Sequence, residues 1–268
     1  MVLRWSEDPA EAAVERWHLA FAPVWIVAVA IVMFTGAIGR MSDGSLIAFG
    51  LAVALPTWWL PAPFVRDLDA TTRTRARALL LARNLWLAIV VFFGTYAWTH
   101  YFFDLMGMRY AFPTTWHAEA WGIGRSGRTV PVFLYPLTMA YFTTYYTVLT
   151  LGVRSLAPPE HAAWPRRAVV LAVLGYLLAM AETGTMHVEA LAPYFGYASK
   201  SAMLWVGSIP YGLLFVVTFP FFPAHRRHGP RMHHALAGGL AASMAGLFVL
   251  DLWGHLFGPL PGSPASGG

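Results

Sequence analysis

Residues 83–104 read RNLWLAIVVFFGTYAWTHYFFD, an apolar run with polar residues at one end and an aromatic cluster at the other. A helix of about 20 mostly apolar residues is long enough to cross the hydrocarbon core of a bilayer. The run begins with Arg83 and Asn84 and ends in aromatic residues that surround His100 and Asp104. Ionisable groups within such a span are costly and usually have a function. We therefore predict a membrane-spanning helix at 83–103 whose outer end carries candidate functional groups.

The whole chain has the composition of a membrane protein. Of its 268 residues, 57% are hydrophobic and only 12% are charged, with a mean hydropathy of +0.54. A soluble domain carries about 25% charged residues. The deficit indicates that lipid faces most of the surface, so the predicted fold class is an all-α polytopic membrane protein. The absence of cysteine excludes disulfides, thiolate catalysis and cysteine metal sites.

Apolar stretches long enough to span a bilayer occur seven times. They lie near 18–38, 45–65, 83–103, 130–151, 168–188, 202–222 and 235–257. We predict one bundle of seven helices over 18–258, a cytoplasmic segment at 1–17, and a flexible tail at 259–268 that is rich in Pro, Gly and Ser. The first segment lacks the basic flank and cleavage site of a signal peptide, so the first span is expected to be retained.

The distribution of positive charge predicts the orientation of the bundle. The net charge of +5 comes almost wholly from arginines scattered over short connections, which indicates cytoplasmic loops rather than a nucleic-acid surface. With the N-terminus inside, 13 of the 18 Lys and Arg residues lie on the inner side. This bias predicts an inner N-terminus and an outer C-terminus.

Two connections and one motif differ from ordinary loops. The outer stretch 104–129 is rich in aromatic residues and is expected to lie back on the bundle or at the interface. The inner stretch 225–234 is basic and rich in histidine; a solvated positive loop is favoured there over a metal site. The letters GIGRSG at 122–127 match a dinucleotide fingerprint, but no strand precedes them, so a flexible loop is favoured.

Ionisable groups on three predicted spans lie at one depth. His100, Glu182 and Asp251 are each roughly 20–25 Å from the inner end of their helix. His100 and Asp104 share a helix face, as do Asp251 and His255. We predict that these groups line one cavity in which burial keeps Glu182 or Asp251 protonated, as a general acid requires. The alternative is that they only join helices or lie at the wet interface, and for Asp104 and His255 this alternative is favoured.

Asn84 and the aromatic residues each permit two interpretations. Asn84 either bonds neighbouring helices, which is favoured, or binds a substrate hydroxyl. Most aromatic residues suit lipid contact and interfacial belts. A subset could instead line a flat apolar cavity and stabilise a cation. This subset is Tyr96, Trp98, Tyr101, Phe102 and Phe103.

Several motifs together resemble a known family. They are Asn84-Leu85-Trp86, Trp98-Thr99-His100-Tyr101-Phe102-Phe103, Tyr110 with Phe112-Pro113, Glu182-Thr183, Pro193-Tyr194, Ser201-Ala202-Met203 with Val206-Gly207, Phe219-Pro220, and Leu250-Asp251-Leu252-Trp253 with Gly258-Pro259. The motifs keep their order over about 80–262, and the WTHYFF run is the most specific of them. In these features the chain resembles cycloeucalenol cycloisomerase, a family of cyclopropyl sterol isomerases.

The resemblance implies an enzyme that opens the 9β,19-cyclopropane ring of a sterol, as in the conversion of cycloeucalenol to obtusifoliol. A proton reaches the cyclopropane carbon, a tertiary cation forms, and loss of a neighbouring proton leaves the Δ8 double bond. The resemblance implies no metal, nucleotide or redox cofactor. It implies a sterol substrate that arrives from the bilayer, no nucleic-acid partner, and a multi-pass integral membrane location.

The resemblance also suggests roles for individual residues. Glu182 is the first choice as proton donor, Asp251 is the second as acid or counter-ion, and His100 is expected to accept the departing proton or to orient the acid. Tyr96, Trp98 or Tyr101 is expected to stabilise the cation. The expected substrate-binding residues are Asn84, Tyr96, Trp98, Tyr101, Phe103, Asp104, Trp253 and His255.

The chain departs from the family pattern at three places, and other functions stay open. The stretch Val130 to Val148 lacks the family's histidines, the segment between Glu182 and Ser201 is longer, and Lys200 stands where the family has an acidic-basic pair. These departures point to a different sterol such as cycloartenol, or to a reaction that has diverged. A sterol double-bond isomerase is the main alternative. A non-catalytic sterol- or lipid-binding protein or transporter is another, and a b-type haem protein is the most distant.

Overall fold

A computed structural model describes residues 3–122, 126–158, 160–223 and 231–263. Within these ranges the chain forms nine α-helices and four short strands. The helices are α1 (Pro9–Phe34), α2 (Asp43–Ala54), α3 (Ala70–Phe93), α4 (Thr99–Met106), α5 (Leu134–Leu156), α6 (Trp164–Thr185), α7 (Lys200–Ala202), α8 (Ser208–Thr218) and α9 (Met232–Phe257). The strands are β1 (Met108–Tyr110), β2 (His117–Glu119), β3 (Thr129–Pro131) and β4 (Phe195–Tyr197). The predicted helical membrane fold is confirmed.

In the described part of the chain, six helical segments are long and apolar enough to cross a membrane. A π-helical turn at Gly94–Trp98 joins α3 and α4 into one segment of 37 residues, Ala70–Met106. A second π-helical turn at Met203–Gly207 joins α7 and α8 within the segment Lys200–Phe221. The predicted span at 130–151 coincides with α5, which has 23 residues but is not among the six.

Helix α5 lies at the centre of the bundle and is rich in threonine and tyrosine. It packs against α1, α2, α3 and α6. Hydroxyls on its buried faces donate to the carbonyl four residues earlier: Thr143 to Met139 (2.7 Å), Thr147 to Thr143 (2.8 Å) and Thr150 to Tyr146 (2.7 Å). These bonds satisfy the hydroxyls within the helix, so a threonine-rich helix can be buried without unpaired donors.

The first helix begins at Pro9, well before the predicted start of the first span at residue 18. Asp8 caps it by accepting from the amide of Ala10 (3.1 Å), and proline at the first helical position has no amide that needs a partner. The sequence rules missed this start because Glu11 and Glu15 suggest a solvated segment. Both glutamates are in fact buried.

Those two glutamates form a buried charge cluster with Arg83 and Arg154 near the start of α1. Arg83 pairs with Glu11 and donates Nε to the carbonyl of Pro223 (3.0 Å). Arg154 makes two bonds to Glu15, at 2.9 and 2.8 Å. Buried charges are tolerated only when they are paired in this way. The cluster joins α1, α3 and α5 and explains the arginine that opens the 83–104 stretch.

The opposite end of the bundle is covered by two antiparallel ribbons. Strand β1 pairs with β4, with Arg109 opposite Gly196, and β2 pairs with β3, with Ala118 opposite Val130. Gly107 ends α4 in the left-handed region at φ 61°, where a glycine is favoured, and it starts the turn into β1. The described parts of the aromatic connection, 104–122 and 126–129, thus lie back on the bundle, as predicted.

Several predicted segments fall partly outside the described residues. Most of the histidine-rich stretch 225–234 and the centre of the GIGRSG motif at 122–127 lie outside them. In the predicted tail, Leu260 is buried and its amide donates to the carbonyl of Leu105 at 2.6 Å. Residues 264–268 lie outside the described part.

Candidate functional site

A largely apolar cavity lies beneath the β1–β4 ribbon. It encloses about 1040 Å³, counting the part that opens to the outside. Its walls come from α1, α3, α4, α5, α6 and α8 and from the ribbon. Aromatic residues make up much of the lining: Trp98, Phe102, Tyr110, Phe112, Tyr141, Phe142, Phe195, Tyr197 and Tyr211. Ligand sites in proteins are typically concave, apolar and aromatic, with few polar groups.

Glu182 supplies the carboxylate of this cavity. It lies on α6, seven residues after Gly175, so the two share a helix face. At Gly175 a Cβ atom would lie 2.9 Å from the carbonyl oxygen of Gly212, so α6 and α8 approach closely there. Small residues at a helix contact permit such an approach in membranes. The contact brings the carboxylate of Glu182 next to Tyr211, the residue before Gly212.

A group of five tyrosines surrounds the carboxylate, and we call it the tyrosine ring. The Tyr211 hydroxyl donates a hydrogen bond to Glu182, and the Tyr145 hydroxyl is also hydrogen-bonded to it. The charge of Glu182 also interacts electrostatically with Tyr110, Tyr141 and Tyr197. The members therefore come from α5, α8 and the β1–β4 ribbon.

The two ribbon tyrosines stay protonated at neutral pH. Burial raises the pKa of both Tyr110 and Tyr197 well above the usual range of a tyrosine, and the charge of Glu182 raises the pKa further. The Tyr110 hydroxyl is also bonded to Thr99. These two tyrosines therefore add no negative charge beside the carboxylate.

The π-helical turn at Gly94–Trp98 shapes the wall opposite α6. Such turns insert an extra residue into a helix and are frequent at functional sites. Thr95, Trp98 and Thr99 all line the cavity, and the Thr99 hydroxyl donates to the Gly94 carbonyl at 3.1 Å. Trp98 also donates to the Ser243 carbonyl on α9 at 3.2 Å, which holds the indole in place.

Of the three predicted catalytic residues, the structure places only Glu182 in the cavity. His100 is buried, but its Nδ1 lies 2.6 Å from Oγ of Ser126 in the connection 104–129, and it is not part of the lining. Asp251 is exposed on α9, where the Tyr101 hydroxyl donates to it at 3.4 Å. The expectation that the three groups line one cavity was wrong, because residues at one depth can face different sides of their helices.

Trp98 is the predicted substrate-binding residue that lines the cavity. Tyr101, Asp104, Trp253 and His255 do not line it, and His255 is exposed. Trp253 packs on Phe257 instead, with ring centroids 4.5 Å apart.

The remaining predicted residues serve packing. Asn84 is fully buried and bonds the carbonyls of Thr57 (2.9 Å) and Leu80 (3.0 Å), which is the favoured helix-joining role. Tyr96 stacks on Phe92 at 5.7 Å. Phe103 is buried beside Tyr110, just behind the cavity wall.

Sequence reasoning missed the tyrosine ring. Tyr141 and Tyr145 are four residues apart on α5, so a polar stripe on one face of a buried helix was a usable signal. Tyr110 belongs to the family motifs, but no signal assigned it to a site and none marked Tyr197, because the pairing of β1 with β4 brings the two together from distant parts of the chain.

The arrangement is suited to proton transfer to an apolar molecule. A carboxyl group in an apolar cavity is more easily protonated than one in water, and hydroxyl donors stabilise the carboxylate that remains after the proton leaves. Among the described residues, no three His, Asp or Glu side chains are close enough together to hold a metal ion.

Comparison with known proteins gives one informative match. The chain is 27% identical over 264 residues to cycloeucalenol cycloisomerase of Arabidopsis thaliana, a match that covers 95% of this chain and 89% of the relative. The expected family resemblance is confirmed. The match extends beyond the quoted motifs to nearly the whole chain. No protein-family model matches the chain, and no solved structure matches it significantly.

Proposed function

We propose that this protein is a membrane-embedded isomerase that opens the 9β,19-cyclopropane ring of a cyclopropyl sterol of the cycloeucalenol type. The observation that carries the proposal is the carboxyl group of Glu182, held by tyrosine hydroxyls in an apolar, aromatic cavity. The similarity to a plant cycloeucalenol cycloisomerase supports the same reaction class. A sterol is apolar and reaches such a cavity from the bilayer.

In the proposed reaction, protonated Glu182 gives its proton to C19 of the sterol. The C9–C19 bond breaks, its electron pair forms the new C19–H bond, and C9 becomes a tertiary cation. Loss of the proton on C8 converts that C–H pair into the C8=C9 double bond. The proton gained equals the proton lost, so the reaction needs no oxidant, reductant or second substrate.

The cavity walls support a cationic intermediate. The faces of Trp98, Phe102 and Phe142 carry negative electrostatic potential and attract a cation that is shielded from water. The carboxylate formed on Glu182 is a second, stronger source of stabilisation. Asp251 and His100 have no part in this scheme, since neither lines the cavity.

Product analysis in deuterated water tests the proposal. Membranes containing the protein are incubated separately with cycloeucalenol, cycloartenol and a Δ8 sterol. Ring opening installs solvent deuterium on the C19 methyl group. A double-bond isomerase leaves the cyclopropane intact and alters only the Δ8 sterol, and a binding protein returns all three unchanged. Either of these results refutes the proposed function.

Two matched variants assign the acid. Glu182→Gln keeps the size of the side chain but has no acidic proton, and we expect ring opening to fall at least about 100-fold. Asp251→Asn removes an exposed carboxylate outside the cavity, and we expect activity within about twofold of wild type. Both proteins are first checked for membrane insertion and for a single peak in size-exclusion chromatography.

A further inference from the structure

The cavity offers a single carboxylate for two proton transfers. Among the described residues that line it, Glu182 is the one carboxylate, and no histidine or lysine accompanies it. Its titratable neighbours are tyrosines: Tyr141 and Tyr145 from α5, Tyr211 from α8, and Tyr110 and Tyr197 from the ribbon. A neutral phenol is a poor base.

The groups that could have served as a separate base lie elsewhere. His100 is bonded to Ser126 and does not line the cavity, and Asp104 lies near Arg128 outside it. Asp251 is exposed on α9. Within the described residues, a second proton acceptor for a bound sterol is therefore absent from the cavity wall.

We infer that Glu182 performs both proton transfers, first as the acid and then, as the carboxylate it has become, as the base. This inference rests on the proposed function. In a 9β,19-cyclopropyl sterol, C8 and C19 are both bonded to C9, so the two reacting positions lie within the reach of one carboxyl group. The carboxylate takes the proton from C8, the C8–H electron pair becomes the double bond, and Glu182 returns to its protonated state.

The tyrosine ring fits this double role. The bonds from Tyr211 and Tyr145 hold the carboxylate where it was formed, so it stays facing the cation. A carboxylate next to a cation in a cavity of low dielectric also stabilises that cation strongly. No water or second side chain is needed to complete the cycle.

The pH dependence of kcat/KM distinguishes a mechanism with one proton-transfer group from a mechanism with a separate acid and base. The sterol does not ionise, so the profile reports the free enzyme. A single carboxyl must only be protonated at the start, which gives a plateau at low pH and one descending limb at high pH. A separate base must also be deprotonated, which gives a bell-shaped profile. Samples returned to pH 7 and assayed again show whether a loss at low pH is due to denaturation.

Variants complete the test. If one residue serves both steps, Glu182→Gln has no group that replaces it in either step, and we expect ring opening to fall about 10,000-fold, the upper end of the range of about 10²–10⁴ for a positioned proton-transfer group. Phenylalanine at any one of the five ring tyrosines is expected to lose far less. A reversible acidic limb overturns the inference, and so does a single Tyr→Phe variant that loses as much as Glu182→Gln. Wild-type protein that opens no ring refutes the proposed function itself, so the two failures are distinguishable.

Discussion

Replacing Tyr211 with phenylalanine removes the hydroxyl that donates to Glu182 and leaves the ring that packs against Phe102 and Phe215. A hydrogen bond to a charged group contributes about 1.5–3 kcal/mol. The carboxylate exists only after proton delivery, so this loss falls on the transition state rather than on sterol binding. With about 1.4 kcal/mol per factor of ten, kcat should drop about 10- to 150-fold while KM changes little.

The assay follows ring-opened sterol by mass spectrometry over a range of substrate concentrations. Tyr146→Phe is the matched control. Tyr146 lies on α5 and is buried like Tyr211, but its hydroxyl is hydrogen-bonded to Thr218 at 2.5 Å and not to Glu182. We expect the control to lose stability without a comparable loss of kcat. Unchanged kcat in Tyr211→Phe, or an equal fall in Tyr146→Phe, refutes the role assigned to the Tyr211 hydroxyl.

Two further predictions concern the scaffold. Gly212→Val should lower both the thermal unfolding temperature and the activity. A Cβ atom at Gly212 would lie 2.9 Å from the backbone of Tyr176 and would push α6 away from α8. A variant that keeps wild-type activity and thermal stability would contradict this prediction. Arg83→Met should destabilise the protein by about 3–5 kcal/mol in a chemical unfolding titration, because it leaves Glu11 with less compensation in a buried site. Adding Glu11→Gln should recover part of that loss, and a double variant no better than the single one would argue against the pairing.

The sequence predicts those features of the fold and the site that follow from local composition. Hydrophobic length alone located six of the seven predicted spans on helices that are long and apolar enough to cross a membrane, because lipid demands apolar surface over a fixed thickness. Glu182 was found the same way, as an acid in an apolar run. The start of α1 was missed because buried glutamates look like solvated ones until Arg83 and Arg154 are placed beside them.

For His100 and Asp251, depth along the helix does not predict whether the side chain reaches the cavity. Rise per residue gives depth along a helix, but facing direction advances about 100° with each residue. The π-helical turn at Gly94–Trp98 changes that count just before His100, so no fixed period carries through the 83–104 stretch. The position of a residue along its helix could be predicted from the sequence, but the side of the bundle that it faces could not.

The sequence by itself determined a helical membrane protein with ionisable groups on three of its predicted spans and a family resemblance carried by its motifs. Only the tertiary structure decided which of those groups meet. The close approach of α6 and α8, and the pairing of β1 with β4, place five tyrosines around Glu182 and leave Asp251 outside. The physical reason is that a site depends on contacts between residues distant in the chain, whereas hydrophobic patterns are local.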